Sequence, residues 1–231
     1  MIIVTHIPKT AGTTLRVFLW EHIKEGRRLA VGDDIAGEML ALADDPERVT
    51  SLDVLFGHIC HGWYRTLGVD DFRHITILRD PVDRVRSLYA YIKRSRTHYL
   101  HQKVHGMSFH EFLASGVTQT ADNGMVRQLC GIDAFLRESD RDMMVPFGGV
   151  TDTLTRMAKE NLRGYWLVGI SERYQAFQDE LCKKMDWPPK LQAHENVGGV
   201  AGEISLEDRT WAEKQLIPDY ELYELAKELA P

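Results

Sequence analysis

The sequence predicts a three-layer α/β/α domain, with helices on both faces of a mostly parallel central sheet and a helical C-terminal third. Two observations predict it. Short apolar runs, several of them β-branched, recur at residues 2–5, 54–57, 74–78 and 166–170. The segments between them carry a helical period: residues 13–25 place Leu15, Leu19 and Ile23 on one face, and residues 83–93 place Val85, Leu88, Tyr89 and Ile92 at i, i+3, i+4 and i+7. Strands alternating with such helices form a doubly wound sheet, which binds ligands at the carboxyl ends of its strands.

The first strand, Ile2-Ile-Val-Thr5, breaks at Pro8 and runs through Lys9-Thr-Ala-Gly-Thr-Thr14 into an amphipathic helix. A buried strand that delivers a helix N-terminus through a short glycine-bearing turn makes an anion cradle. Gly12 allows close backbone approach. Thr13 and Thr14 offer amides and hydroxyls, and Lys9 reaches a bridging or terminal oxygen. The logic is P-loop-like, but here the lysine precedes the glycine, whereas a Walker A loop places it after.

The third strand run, residues 74–78, ends at Arg79. Asp80 is a good N-cap, and Pro81 suits the first helical turn. Ser87 lies eight residues past Arg79, about two turns into the helix. A strand-end arginine and a helix hydroxyl grip one phosphate from two sides. In the C-terminal third, residues 171–185 read as a helix and Pro188-Pro189 as a break. Ser205-Leu-Glu-Asp208 reads as a capping box with a shorter acid, and residues 218–229 as a closing amphipathic helix.

Composition bounds the function. The 231 residues, 44% hydrophobic, suffice for one well-buried core, so a single domain over residues 1–231 is expected. The net charge of −6 argues against a nucleic-acid binder. That charge is uneven: between Arg73 and Lys103 eight basic residues face two acids, and between Ala201 and Pro231 eight acids face three basic residues. A local positive field in an acidic protein suits small anions. Cys60, Cys130 and Cys182 are widely spaced and odd in number, as expected of reduced thiols. No run approaches the roughly 18 to 20 apolar residues of a membrane span, and the first strand begins at residue 2. A soluble cytoplasmic protein is the expectation.

Taken together, Pro8-Lys-Thr-Ala-Gly-Thr-Thr14 and Arg79-Asp-Pro81…Ser87 resemble the signature of the sulfotransferases that use 3′-phosphoadenosine 5′-phosphosulfate. The details are most similar to the carbohydrate branch, which includes the heparan and uronyl 2-O-sulfotransferases. Phe56-Gly-His58, Asn123-Gly-Met-Val-Arg127-Gln-Leu129 and Leu167-Val-Gly-Ile-Ser-Glu-Arg-Tyr174 extend the resemblance in the family's order. It implies that Lys9, Thr10, Ala11, Gly12, Thr13 and Thr14 form the 5′-phosphosulfate loop, and that Arg79 and Ser87 form the 3′-phosphate site.

Sulfuryl transfer relies on in-line positioning and on stabilising charge at the leaving phosphate, a task for Lys9. An alcohol acceptor must also lose a proton. His58, at the end of a strand, aligns with a histidine that the carbohydrate family uses as base, and His61 is the second candidate. Arg94, Arg96, Tyr99 and Lys103, with Asn123 and Arg127, are expected to line a cleft for a carbohydrate or other polar, anionic acceptor. His98, His101 and His105 have i, i+3, i+7 spacing but no cysteine or carboxylate among them, so no metal is expected. The glycine-containing loop 196–202 reads as a closing flap or an ordinary surface loop. Two alternatives remain open: a P-loop-type small-metabolite kinase needing ATP and Mg²⁺, and a non-catalytic nucleotide-binding module.

Overall fold

The structure is a computed structural model that describes residues 1–32, 34–131, 145–189 and 202–231. Five strands, β1 (Ile2–Thr5), β2 (Arg28–Ala30), β3 (Val54–Gly57), β4 (Arg73–Leu78) and β5 (Leu167–Ile170), form one sheet in the order β2-β3-β1-β4-β5. All pairings are parallel; Val4 sits between Phe56 and Ile75 in the register. The expected mostly parallel sheet is therefore wholly parallel. β2 was not read from the sequence, because Arg28-Leu-Ala is half-buried at an edge and offers no apolar run.

Both faces of the sheet are covered, as an all-parallel sheet requires. On one face α1 (Gly12–His22) and α9 (Tyr174–Met185) lay Leu15, Phe18, Leu19, Phe177 and Leu181 over Ile2, Val4, Phe56 and Ile75. On the other, α7 (Gly124–Leu129), α8 (Asp152–Arg163) and α11 (Ile217–Leu229) pack on Leu78, Val168 and Ile170. Toward the β3 edge, α2 (Ile35–Ala43) and α3 (Pro46–Ser51) cover Leu55. A flanking cluster joins α4 (Pro81–Arg94) through Val82, Val85, Leu88 and Ile92 to α6 (Phe109–Ala114) and α10 (Leu206–Gln215). A short α5 (His101–Val104) connects α4 to α6. Each fully buried Leu, Ile or Phe contributes about 1.5–3 kcal/mol. No helix among the described residues is long and apolar enough to cross a membrane.

The helix starts follow their capping chemistry. Asp80 accepts the Asp83 amide at 2.9 Å with Pro81 in the first turn, and the Ser205 hydroxyl accepts the Asp208 amide at 3.0 Å. The helix expected over 171–185 opens as a 3₁₀ turn, Ser171–Arg173, before α9.

A fully buried ion pair crosses from α4 to α11. Arg84 Nη2 donates to Asp219 Oδ2 at 3.3 Å, and both side chains are shielded from solvent. Asp219 also accepts the Val126 amide at 2.9 Å and the Met125 amide at 3.4 Å, capping α7. Asn123, in the left-handed region at φ 50°, accepts the Asp219 amide through Oδ1 and donates through Nδ2 to the Gln215 carbonyl. A Cβ on Gly124 would stand 3.2 Å from Arg84 Nη2, so glycine lets the guanidinium approach. Arg127 donates to the carboxylate and backbone carbonyl of Asp122 and to the carbonyls of Val145 and Pro146. This corrects the assignment of Asn123 and Arg127 to an acceptor cleft. Both are buried, and their polar atoms bind the protein's own backbone and the Asp122 carboxylate.

His61 is corrected in the same way. It is buried between Tyr64 and Tyr165, with each ring nitrogen 3.4 Å from a tyrosine hydroxyl, in an aromatic cluster that includes Phe72 and His74. A base needs an exposed lone pair, which this position denies.

Removing one partner of the buried pair strands a charge, so Asp219→Ala should lower the unfolding free energy by about 3–5 kcal/mol in urea denaturation. The double variant Arg84→Met/Asp219→Ala should lose less than the two single losses summed. A second prediction concerns acid. Burial, aided by His61 and Arg65, lowers His74 from 6.5 to about 3. The unfolded chain therefore takes up the proton first. The stability due to neutral His74 is complete above about pH 6.5 and is lost as pH falls toward 3, by about 2 kcal/mol at pH 5. Urea midpoints at pH 8 and pH 5 should show this drop, and His74→Phe should remove that share of it.

Candidate functional site

The ends of β3, β1 and β4 lie side by side, and the segments leaving them carry His58, the Lys9 turn and Arg79. Here the chain reverses its winding direction, the position where open α/β sheets bind ligands. Thr76 Oγ1 fastens the end of β1 by donating to the Thr5 carbonyl at 2.8 Å. Beyond it, Thr10 is buried, and its hydroxyl donates to the Ile7 carbonyl at 2.9 Å, closing the turn. Its hydroxyl therefore shapes the loop, leaving ligand contact to the backbone.

Lys9 at φ 72° and Ala11 at φ 65° both occupy the left-handed region without being glycine. Each such residue costs of order 1–3 kcal/mol, and strain of this kind concentrates at ligand sites. Ala11 is the N-cap of α1 and brings no side-chain acceptor, and the first turn holds no acid. Asp34, Asp45, Asp80, Ser108, Thr151 and Ser205 cap the starts of other helices. The first intrahelical bond of α1 runs from the Leu15 amide to the Ala11 carbonyl at 3.1 Å, so the amides of Gly12 and Thr13 precede it. The positive end of α1 thus keeps its donors for an outside anion.

Three cations meet beside this turn. Arg79 Nη1 donates to the Lys9 carbonyl at 3.2 Å. The Lys9 ammonium lies over the Tyr91 ring, 4.4 Å from its centroid. Burial, then the Arg94 and Arg79 guanidiniums, holds Lys9 below its ordinary value. Asp80, next in sequence to Arg79, turns away: it accepts from the Tyr220 hydroxyl at 3.1 Å and lies 3.5 Å from Arg209. Among the described residues no carboxylate pairs with Lys9, Arg79 or Arg94. Ser87, Tyr91 and Arg94 stand at i, i+4 and i+7 on α4, one stripe of the helix. Lys9, Arg79, Ser87 and Arg94 therefore border one region.

His58 is exposed at the end of β3. Its Nδ1–H donates to the His6 carbonyl at 2.7 Å, which leaves Nε2 as the lone-pair nitrogen of a neutral ring. The His6 ring stacks on His58 with centroids 4.5 Å apart, and the Gln128 amide shares the same carbonyl at 2.8 Å. Burial, with His58, Arg16 and Lys9 adding to it, brings His6 down to about 3, so it is neutral at ordinary pH. A Cβ on Gly12 would stand 1.8 Å from His6 Nε2. Gly12 is thus required first by the His6 ring.

The remaining candidates scatter. Arg96 is exposed, and Tyr99, 81% exposed, stacks on His98. His101 is buried and donates through Nδ1 to the Ile92 carbonyl at 3.0 Å, while His98 Nδ1 accepts the Leu100 amide at 3.1 Å. The loop 196–202 lies outside the described residues except for Gly202. His6, Tyr91 and Gln128 were not read from the sequence. The i, i+4, i+7 relation of Ser87, Tyr91 and Arg94 was the available signal for Tyr91; His6 and Gln128 meet only through folding. Compared with known proteins, the chain matches no family model and no curated protein.

Proposed function

We propose that the protein transfers a sulfuryl group from 3′-phosphoadenosine 5′-phosphosulfate to a hydroxyl of a carbohydrate or similar polar acceptor. The observation that carries this reading is the meeting of Lys9, Arg79 and Arg94, without a carboxylate partner among the described residues, at an uncapped helix start. Uncompensated cations at the carboxyl end of a parallel sheet fit a donor with two anionic ends. When bound, the donor supplies an activated S–O bond whose cleavage leaves charge on a phosphate oxygen.

The chain's residues divide the work. Lys9 Nζ and the Gly12 and Thr13 amides offset charge at the leaving oxygen, an effect worth about 10²–10³ in rate per donor. Arg79 and Ser87 hold the 3′-phosphate. His58 Nε2, kept free by the Nδ1–H bond to His6, takes the proton of the acceptor hydroxyl, worth about 10²–10⁴. A cytoplasmic setting belongs to the same reading. Cys60 and Cys130 are free thiols, and burial pushes them up to about 11 and about 12.

Adenosine 3′,5′-bisphosphate should raise the thermal unfolding midpoint, and labelled donor should pass label to a carbohydrate acceptor. Stabilisation by ATP with Mg²⁺ alone would overturn the reading. Lys9→Ala should lower kcat by about 10²–10³ with the unfolding midpoint unchanged, whereas Arg79→Ala should weaken bisphosphate binding by about tenfold or more. His58→Ala should lower kcat by about 10²–10⁴ and spare bisphosphate affinity. Because Lys9 must stay protonated and its titration is lowered, kcat should decline on the alkaline side before an ordinary lysine titrates.

A further inference from the structure

We propose that Tyr91 is the positioning residue for Lys9, its ring holding the ammonium beside Arg79 and Arg94 at the mouth of the turn. The inference rests on reading that turn as an anion site. A lysine on a flexible four-carbon stem has many rotamers open to it, and two neighbouring guanidiniums, Arg94 and Arg79, repel it. Something must hold it at the turn in advance of any ligand. Arg79 reaches only the Lys9 carbonyl, and no carboxylate among the described residues meets the ammonium. The Tyr91 ring does, at 4.4 Å.

The ring is itself fixed. It projects from α4 one turn beyond Ser87, and α4 is pinned by the Asp80 cap and the Arg84–Asp219 pair. His98 meets the Tyr91 ring edge-on, with centroids 5.5 Å apart and planes at 88°, and is held in turn by the Leu100 amide on its Nδ1. Tyr91 is 40% exposed, as expected at the rim of a site rather than in a core. An ammonium resting on a ring face keeps N–H donors to spare for an incoming oxygen. Tyr91 thus assembles the cation cluster without adding a counter-charge that a ligand would have to displace. A carboxylate in its place would hold Lys9 and cancel the field.

Calorimetric titration of the full chain with inorganic pyrophosphate tests this. Tyr91→Phe keeps the ring face and should bind within about twofold of wild type, while Tyr91→Leu should bind about three- to tenfold more weakly. In a Lys9→Ala background, Tyr91→Leu should have no further effect, a result that a merely structural role would not give. Equal loss in both backgrounds, or Tyr91→Leu binding like wild type, overturns the inference, as does a wild type that binds no pyrophosphate. A second measurement needs no ligand. After reductive ¹³C-methylation, the Lys9 resonance, identified by its disappearance in Lys9→Arg, should be ring-shifted in wild type and Tyr91→Phe and unshifted in Tyr91→Leu. An unshifted wild-type resonance overturns the inference. Wild type that binds pyrophosphate but transfers no sulfuryl group overturns the proposed reaction alone, and the order of the Tyr91 variants still decides the role of the ring.

Discussion

The buried pair of Arg84 and Asp219 fastens the helices that carry and back the candidate site. It joins α4, α7 and α11, three helices distant in sequence, with Asp219 accepting two α7 amides as well as the guanidinium. Burial pushes the Asp219 carboxyl above the ordinary carboxylate range, while Arg84 and those amides pull it back. Arg84 Nε and Nη1 have no hydrogen-bond partner among the described residues. A buried pair of this kind adds little net stability, but losing either partner strands the other. The pair ties α4, which carries the Ser87–Tyr91–Arg94 stripe, to α7 and α11.

The candidate site is built from what that fixed helix opposes. The turn after β1 holds two non-glycine residues in the left-handed region and leaves the start of α1 without a side-chain cap. Each feature is costly alone. Together they point backbone donors and one lysine at a common space that Arg79 and Arg94 border. The sequence places Asp80 next to Arg79, and an isolated helix start would let them pair. In the fold Asp80 is engaged by the Asp83 amide, Tyr220 and Arg209, so the acid that could neutralise the site is bound elsewhere. The His6–His58 stack shows the same economy. One backbone carbonyl and one neutral ring set the tautomer and the plane of the proposed base without placing a charge beside it.

Much of this was legible in the residues because it is local. A strand ending in a proline-bearing turn, an Asp-Pro helix start and a Ser205 cap are decided within a few residues by backbone geometry and short-range hydrogen bonds. Four of the five strands and the boundaries of α4 and α11, to within a residue or two, were readable for that reason. So were Lys9, Arg79, Ser87 and His58, which lie at strand ends or on the helix that follows. Misreadings began where a polar residue's partner is remote. Asn123, Arg127 and His61 have the composition of a binding surface, yet besides the nearby Asp122 and Tyr64 their partners include the backbone at 145–146 and 215–219 and the hydroxyl of Tyr165.

The alternating α/β pattern, the glycine-bearing turn between β1 and α1 and the places of the charged groups just past the strand ends can be read along the chain, since each follows from spacing over a few residues. The strand order and the edge strand β2 emerge only once the chain is folded. Folding also turned Asp80 away from Arg79, buried the Asn123–Arg127 segment around Asp219, and set Tyr91 under Lys9. These depend on which distant surfaces pack together, and on the cost of leaving any buried charge or amide without its partner. No local pattern encodes that cost.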